Sequence, residues 1–160
     1  MLRLALTLSA VVALSGCVIA GQVYAPVPAQ SKDERAAQVA SAAQAVKLGN
    51  YEHAERLMAD YMYRDQGGEL LFKSTSFTSA SRKQAVDTVA QLLWETGRNE
   101  SLEHFASRYL SGYERSSMLC RVAERGAVYE KAYNCWNELG DVDRARRVIK
   151  TESALRILKD

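Results

Sequence analysis

From Ser31 to Asp160 the chain contains no proline, and glycine falls there only at Gly49, Gly67, Gly68, Gly97, Gly112, Gly126 and Gly140. Proline breaks a helix interior, and glycine ends a helix by taking the left-handed conformation at little steric cost. A long stretch without breakers therefore reads as helices separated by glycine turns. Start signals agree. Ser31-Lys-Asp-Glu34 has the form of a capping box, in which Ser accepts from a backbone amide and Glu reaches back. Ser81-Arg-Lys-Gln84 and Ser111-Gly-Tyr-Glu114 repeat that form, while Asn50, Asn99 and Asp141 stand close behind a glycine as N-cap residues. Val86, Val89, Ala90 and Leu93 follow helical spacing, as do Tyr129, Ala132, Tyr133 and Trp136. Val142, Ala145, Val148, Ile149, Leu155 and Leu158 draw an apolar stripe along the last segment. The expected fold class is all-α, with helices over 32–48, 51–66, 81–96, 99–110, 114–125, 128–139 and 142–158. Residues 67–80 form the one long irregular connection, pinned to the body by Leu70, Leu71, Phe72 and Phe77.

A pattern recurs at the turns. LGNYEHAERLM begins at Leu48, TGRNESLEHFA at Thr96 and LGDVDRARRVI at Leu139. Each has a glycine, an Asn or Asp within two residues, and Ala or Leu five residues beyond the glycine. This resembles the turn and second helix of tetratricopeptide (TPR) repeats, in which the small residue lets two helices approach and an aromatic such as Tyr51 packs between them. Ala42 and Ala90 match the close-contact position of the preceding helix, and Tyr133 departs from it. AERGAVYEKAYNCWNELG is similar to the related Sel1-type repeats. The resemblance implies a TPR-like stack of antiparallel hairpins. The glycines do not keep the repeat of roughly 34 residues of a regular array, so an irregular helical bundle stays open beside it.

The front of the chain differs in kind. MLRLALTLSAVVALSG places Arg3 before an apolar run from Leu4 to Leu14. A helix needs roughly 20 apolar residues to cross a bilayer, so this run is a secretory signal rather than a span. Leu14-Ser15-Gly16-Cys17 resembles the lipobox of bacterial lipoproteins. That resemblance implies cleavage before Cys17, which then carries lipid on its thiol and amine. The alternative is an ordinary signal peptide cut nearby, with Cys17 left free. Each buried methylene of a lipid contributes about 0.8 kcal/mol, so several chains give a lasting anchor. Val18 resembles the class sorted to the outer membrane, facing the periplasm. Residues 17–30 carry both prolines, Pro26 and Pro28, and read as an extended tether; a strand or packed arm is the other reading.

Without residues 1–16, 144 of the 160 residues remain, enough for one domain with a core. Removing Arg3 leaves 20 basic and 19 acidic side chains from the original 21 and 19, a net charge of +1, which is no footprint for nucleic acid. Arg144, Arg146, Arg147, Lys150, Arg156 and Lys159 make the C-terminal stretch basic; the expectation is a solvated face whose cations suit a helix C-terminus. With Cys17 set aside, Cys120 and Cys135 form an even pair for an oxidising compartment. They lie almost symmetrically about Gly126, so in a hairpin they come level and can form a disulfide; two buried thiols are the alternative.

No catalytic constellation emerges. The histidines, His53 and His104, lie in no recognisable nucleophile setting, and no phosphate loop, dinucleotide turn or zinc-ligand spacing occurs. No enzyme, cofactor or metal is expected. Tyrosine (8) outnumbers phenylalanine (3), and tyrosine suits interfaces. Tyr51, Tyr61, Tyr63 and His104 are the candidate partner-binding residues. The expected function is a periplasmic lipoprotein that binds another envelope protein as a scaffold or assembly factor, in the manner of the TPR-containing and pilotin lipoproteins of secretion and pilus systems. An inhibitor or immunity lipoprotein is the alternative.

Overall fold

The structure is a computed structural model that describes residues 30–157. Cys17, the apolar run and the proline-bearing tether up to residue 29 lie outside the described residues, as does the last residue of the expected final helix. Seven α-helices occur among the described residues: α1 (Lys32–Lys47), α2 (Tyr51–Met58), α3 (Ser79–Glu95), α4 (Asn99–Tyr109), α5 (Gly112–Arg125), α6 (Tyr129–Glu138) and α7 (Val142–Ile157). Each helix packs on its successor, and α1 also packs on α3. The all-α expectation holds, with one small sheet added.

Four of the turns share one backbone solution. In the α1–α2 turn Gly49 has φ 73°, its amide donates to Val46 O, and the Asn50 amide donates to Ala45 O. Gly97 between α3 and α4 (φ 70°) and Gly140 between α6 and α7 (φ 75°) repeat both bonds. These are Schellman closures, which satisfy helix-end carbonyls through one left-handed residue. The fourth, between α5 and α6, places Ala127 and not Gly126 in the left-handed region, at φ 56°. The Ala127 amide donates to Glu124 O and the Val128 amide to Ala123 O. Five residues beyond each left-handed position stand Ala54, Leu102, Ala132 and Ala145, all fully buried or nearly so. The turn pattern thus recurs four times, once without its glycine.

Helix starts are partly as expected. Ser31 and Glu34 form the capping box of α1, and Asn50 caps α2 by accepting from the His53 amide. Asp141 accepts from the Arg144 amide. The start of α3 differs: Thr78 is the cap and Ser81 its third residue, because the two hydroxyls satisfy each other and both backbone amides. Ser111 precedes α5 without a side-chain cap bond, and Arg98, not Asn99, is the N-cap of α4.

The expected helix over 51–66 stops at Met58. A single 3-10 turn (Ala59–Tyr61) follows, then strand β1 (Met62–Arg64), which pairs antiparallel with β2 (Leu70–Phe72) so that Tyr63 faces Leu71. Asp65 accepts from the Glu69 amide and Gly68 takes φ 82°, which closes the hairpin. Its anchor is aromatic. The Phe72 ring lies 5.4 Å from Phe77, 6.2 Å from Phe105 and 6.0 Å from Tyr109. The Phe72 amide donates to the Tyr109 hydroxyl at 2.9 Å. Such ring pairs contribute about 0.5–1.5 kcal/mol each beyond area burial, enough to override helix continuation.

The main core joins α1, α2, the hairpin, α3 and α4 around Met58, Phe72, Leu93, Leu102 and Phe105, with Val122 reaching in from α5. A separate cluster lies between α5, α6 and α7, around Trp136 and Val148. Cys120 and Cys135 form a disulfide across the α5–α6 hairpin, with Cα atoms 5.4 Å apart. Of the expected α7 stripe, Ala145 and Val148 are buried, while Val142, Ile149 and Leu155 are exposed.

Candidate functional site

The odd-numbered helices line three adjoining clefts. The first, about 430 Å³, lies between α1 and α3, with Val46, Lys47, Lys83, Asp87 and Gln91 among its walls. The second, about 290 Å³, lies between α3 and α5, shares Asp87 and Gln91 with the first, and adds Tyr113 and Met118. The third, about 400 Å³, is formed by Trp94 of α3, Arg121, Glu124 and Arg125 of α5, and Arg144 and Arg147 of α7. It shares Arg121 with the second, so the three clefts lie side by side along α1, α3, α5 and α7 and together make up a stepped groove. Lys83 fixes its middle: Nζ lies 2.8 Å from the Asp87 carboxylate and 2.9 Å from that of Glu114, bridging α3 and α5. Hydrogen bonds to Asp87 and Glu114 raise the Lys83 pKa above the ordinary lysine value.

The third cleft is basic and aromatic. The Arg121 guanidinium sits 4.1 Å from the centre of the Trp94 ring and that of Arg125 3.2 Å, so two cations share one indole. Arg144 lies 4.5 Å over Trp136, whose Nε1 donates to Glu124 at 3.2 Å. Arg125 also donates to the Trp94 carbonyl, and Arg144 pairs with Asp141 at 3.3 Å. Among the described residues, Arg121, Arg125 and Arg147 make no ion pair. Burial, reinforced by the neighbouring charges of Arg144 and Arg125, lowers the Arg121 pKa. The guanidinium remains charged at neutral pH, since arginine does not lose its proton in proteins.

The expectation for the C-terminal basic stretch holds for exposed Lys150 and for Arg156 in the last turn of α7, and is corrected for the cations that precede them. Arg144, Arg146 and Arg147 lie in the first two turns of α7, not at its C-terminus. Cations there oppose the helix dipole, so helix stability does not account for them. Arg144 and Arg147 face the cleft with Trp94, whereas Arg146 lines a shallow depression beside Tyr113 and Asp143. Trp94, Arg121 and Arg125 did not stand out in the sequence. The spacing of Arg121 and Arg125 by four residues, and of Arg144 and Arg147 by three, puts each pair on one helix face, which was the available signal.

The expected partner-binding residues fall elsewhere. Tyr61 is buried in the main core, and its hydroxyl bonds to Gln30 at 2.8 Å and Gln38 at 3.1 Å. It is a core residue and not a contact surface, because the turn after α2 directs its ring onto Phe77, 4.7 Å away. Tyr51 is half-buried against Ala45, Val46, Ala54 and Leu92. Tyr63 is exposed on β1, with the Lys73 ammonium 5.8 Å from its ring centre. His104 stands half exposed, Nδ1 3.6 Å from Glu69, in a shallow pocket with Arg64, Glu100 and Ser101. Tyr63 and Arg64 alternate across the strand, so the hairpin does not bring Tyr63 and His104 to one site. Among the described residues no hydroxyl or thiol bonds to His104, and no group of three His, Cys, Asp or Glu is placed to hold a metal ion. No described helix is long and apolar enough to cross a membrane.

Compared with protein-family models, curated proteins and solved structures, the chain matches none. Its own groove geometry therefore carries the functional argument.

Proposed function

We propose that this chain is a lipid-anchored binding module of the bacterial envelope, attached through Cys17 to the outer membrane and facing the periplasm, where it holds another envelope protein as a scaffold or assembly factor. The observation that carries the reading is the connected groove along α1, α3, α5 and α7. A stack of helical hairpins that offers one face of alternate helices suits an extended segment of a partner. The recurrent turns and the buried residue five positions beyond each, alanine in three of the four, support a TPR-like organisation. The Cys120–Cys135 disulfide suits an oxidising compartment, and LSGC behind a short apolar run supports the anchor. A surface-restricted search raises the local concentration of an envelope partner, so the anchor and the groove work together.

The test is photo-crosslinking in the producing cell, with the crosslinker at Gln91 or Met118 in the groove or at exposed Lys150 outside it, in the native chain and in Cys17→Ser. A specific adduct with an envelope protein is expected from the groove positions alone, together with release of Cys17→Ser from the membrane fraction. Adducts equally frequent at Lys150 refute the groove, and unchanged fractionation of Cys17→Ser refutes the anchor.

A further inference from the structure

We infer that the α5–α7 end of the groove binds the carboxylates of an acidic peptide segment, whose following apolar residue lies along α5 toward Met118 and Tyr113. The inference rests on the groove being a docking surface and names the chemistry of what docks there. Arg121, Arg125, Arg144 and Arg147 converge on one cleft of about 400 Å³ in which Glu124, accepting from the Trp136 indole, is the one acidic lining residue among those described; the Glu95 carboxylate also acts on Arg121. Bringing like charges together costs free energy; Glu95 and Glu124 offset part of it for Arg121, while Arg125 and Arg147 make no ion pair among the described residues. The indole of Trp94 holds two of these guanidiniums. A guanidinium stacked on a ring keeps N–H groups at its edge, the geometry that grips a planar carboxylate through two parallel bonds.

The shape of the site favours a peptide over other anions. Arg121 is shared with the α3–α5 cleft, where half-buried Met118 and exposed Tyr113 continue the surface. A free phosphate would fill only the basic end. A bilayer meets only exposed side chains, here Arg125 and Arg147, and does not reach Arg121 and Arg144, which are half-buried between helices.

The experiment titrates the full chain, purified as the cell produces it, with a synthetic peptide of four glutamates followed by leucine and phenylalanine. Calorimetry is the readout for every variant, and tryptophan fluorescence reports the cleft beside it, because Trp94 lies under Arg121 and Arg125 and Trp136 under Arg144. Saturable binding that weakens with salt is expected. Arg121→Glu/Arg147→Glu weakens it by at least about tenfold, consistent with loss of charge-assisted bonds. Arg147→Gln, a single change at an exposed position, weakens it by a smaller factor and covers the case of a misfolded double variant. Lys150→Glu/Arg156→Glu makes the same four-unit charge change at exposed positions of α7 outside the cleft and leaves binding within about twofold. Absence of saturable binding, equal binding of a lysine counterpart, or equal loss in Lys150→Glu/Arg156→Glu overturns the inference. Competition by inorganic phosphate or by phosphatidylglycerol vesicles at equal charge concentration also overturns it. Groove crosslinks that persist while the acidic peptide fails to bind remove the carboxylate assignment alone; loss of those crosslinks removes the docking surface itself.

Discussion

The first four helices and the hairpin close over Met58, Phe72, Phe77, Leu93, Leu102 and Phe105, whereas the last three close over Trp136, Val148 and four smaller side chains. The larger core is held by many ring and aliphatic contacts at long sequence separation. The smaller one has a single large buried side chain, Trp136, and a covalent bond between Cys120 and Cys135 beside it. The difference shows how the C-terminal region can carry a face that opposes stability. Its cleft gathers four guanidiniums, two of them early in α7 against the helix dipole. The smaller core is expected to depend on the disulfide for part of its stability, worth about 3 kcal/mol in the chain-entropy model.

Two substitutions separate these regions. Phe105→Ala removes a fully buried ring that touches both Phe72 and Tyr109, and it should cost about 3–5 kcal/mol in urea unfolding. Hydrogen exchange should accelerate mainly in α1 to α4. Equal acceleration in α5 to α7 would mean that the two cores unfold as one. Cys120→Ser/Cys135→Ser opens a loop with a sequence separation of 15, worth about 3 kcal/mol in the chain-entropy model. Here exchange protection should fall in α5 to α7 and persist in α1 to α3. Unchanged protection in α5 to α7 would show that Trp136 and Val148 suffice without the bond.

Much of this organisation is legible in the sequence. Helix positions follow from the glycines and from the absence of proline, since both act through local backbone geometry. The disulfide follows from two cysteines level across a hairpin turn. The hairpin at Met62–Phe72 does not, because its strands of three residues are too short for an alternating pattern and its stability comes from Phe77, Phe105 and Tyr109, remote in sequence. The burial of Tyr61 is hidden for the same reason: it is decided by Phe77, Gln30 and Gln38, beyond its own segment. The basic cleft is the clearest case. Trp94, Arg121 and Arg147 lie on three helices, and only the packing of α3, α5 and α7 brings them together.

Ala127 offers the finest test of the contrast, because it stands in the weaker region and breaks the rule that the other three turns keep. Its φ of 56° is a conformation that costs an L-residue roughly 1–2 kcal/mol, while glycine at the same place loses more chain entropy on folding, roughly 0.5–1 kcal/mol. Ala127→Gly should therefore stabilise the protein by roughly 0.5–1 kcal/mol, with added protection confined to α5 and α6. Gly140→Ala is the mirror experiment. A Cβ there meets nothing within 4 Å, so its cost is conformational and not steric, and it should destabilise by a similar amount. If both changes have the predicted signs, the four turns are one structural motif, and the α5–α6 hairpin tolerates its alanine because the disulfide fixes the two helices that the turn joins. If Ala127→Gly instead destabilises, the alanine side chain supports the turn by contact, and the α5–α6 closure is a separate device from the three glycine turns.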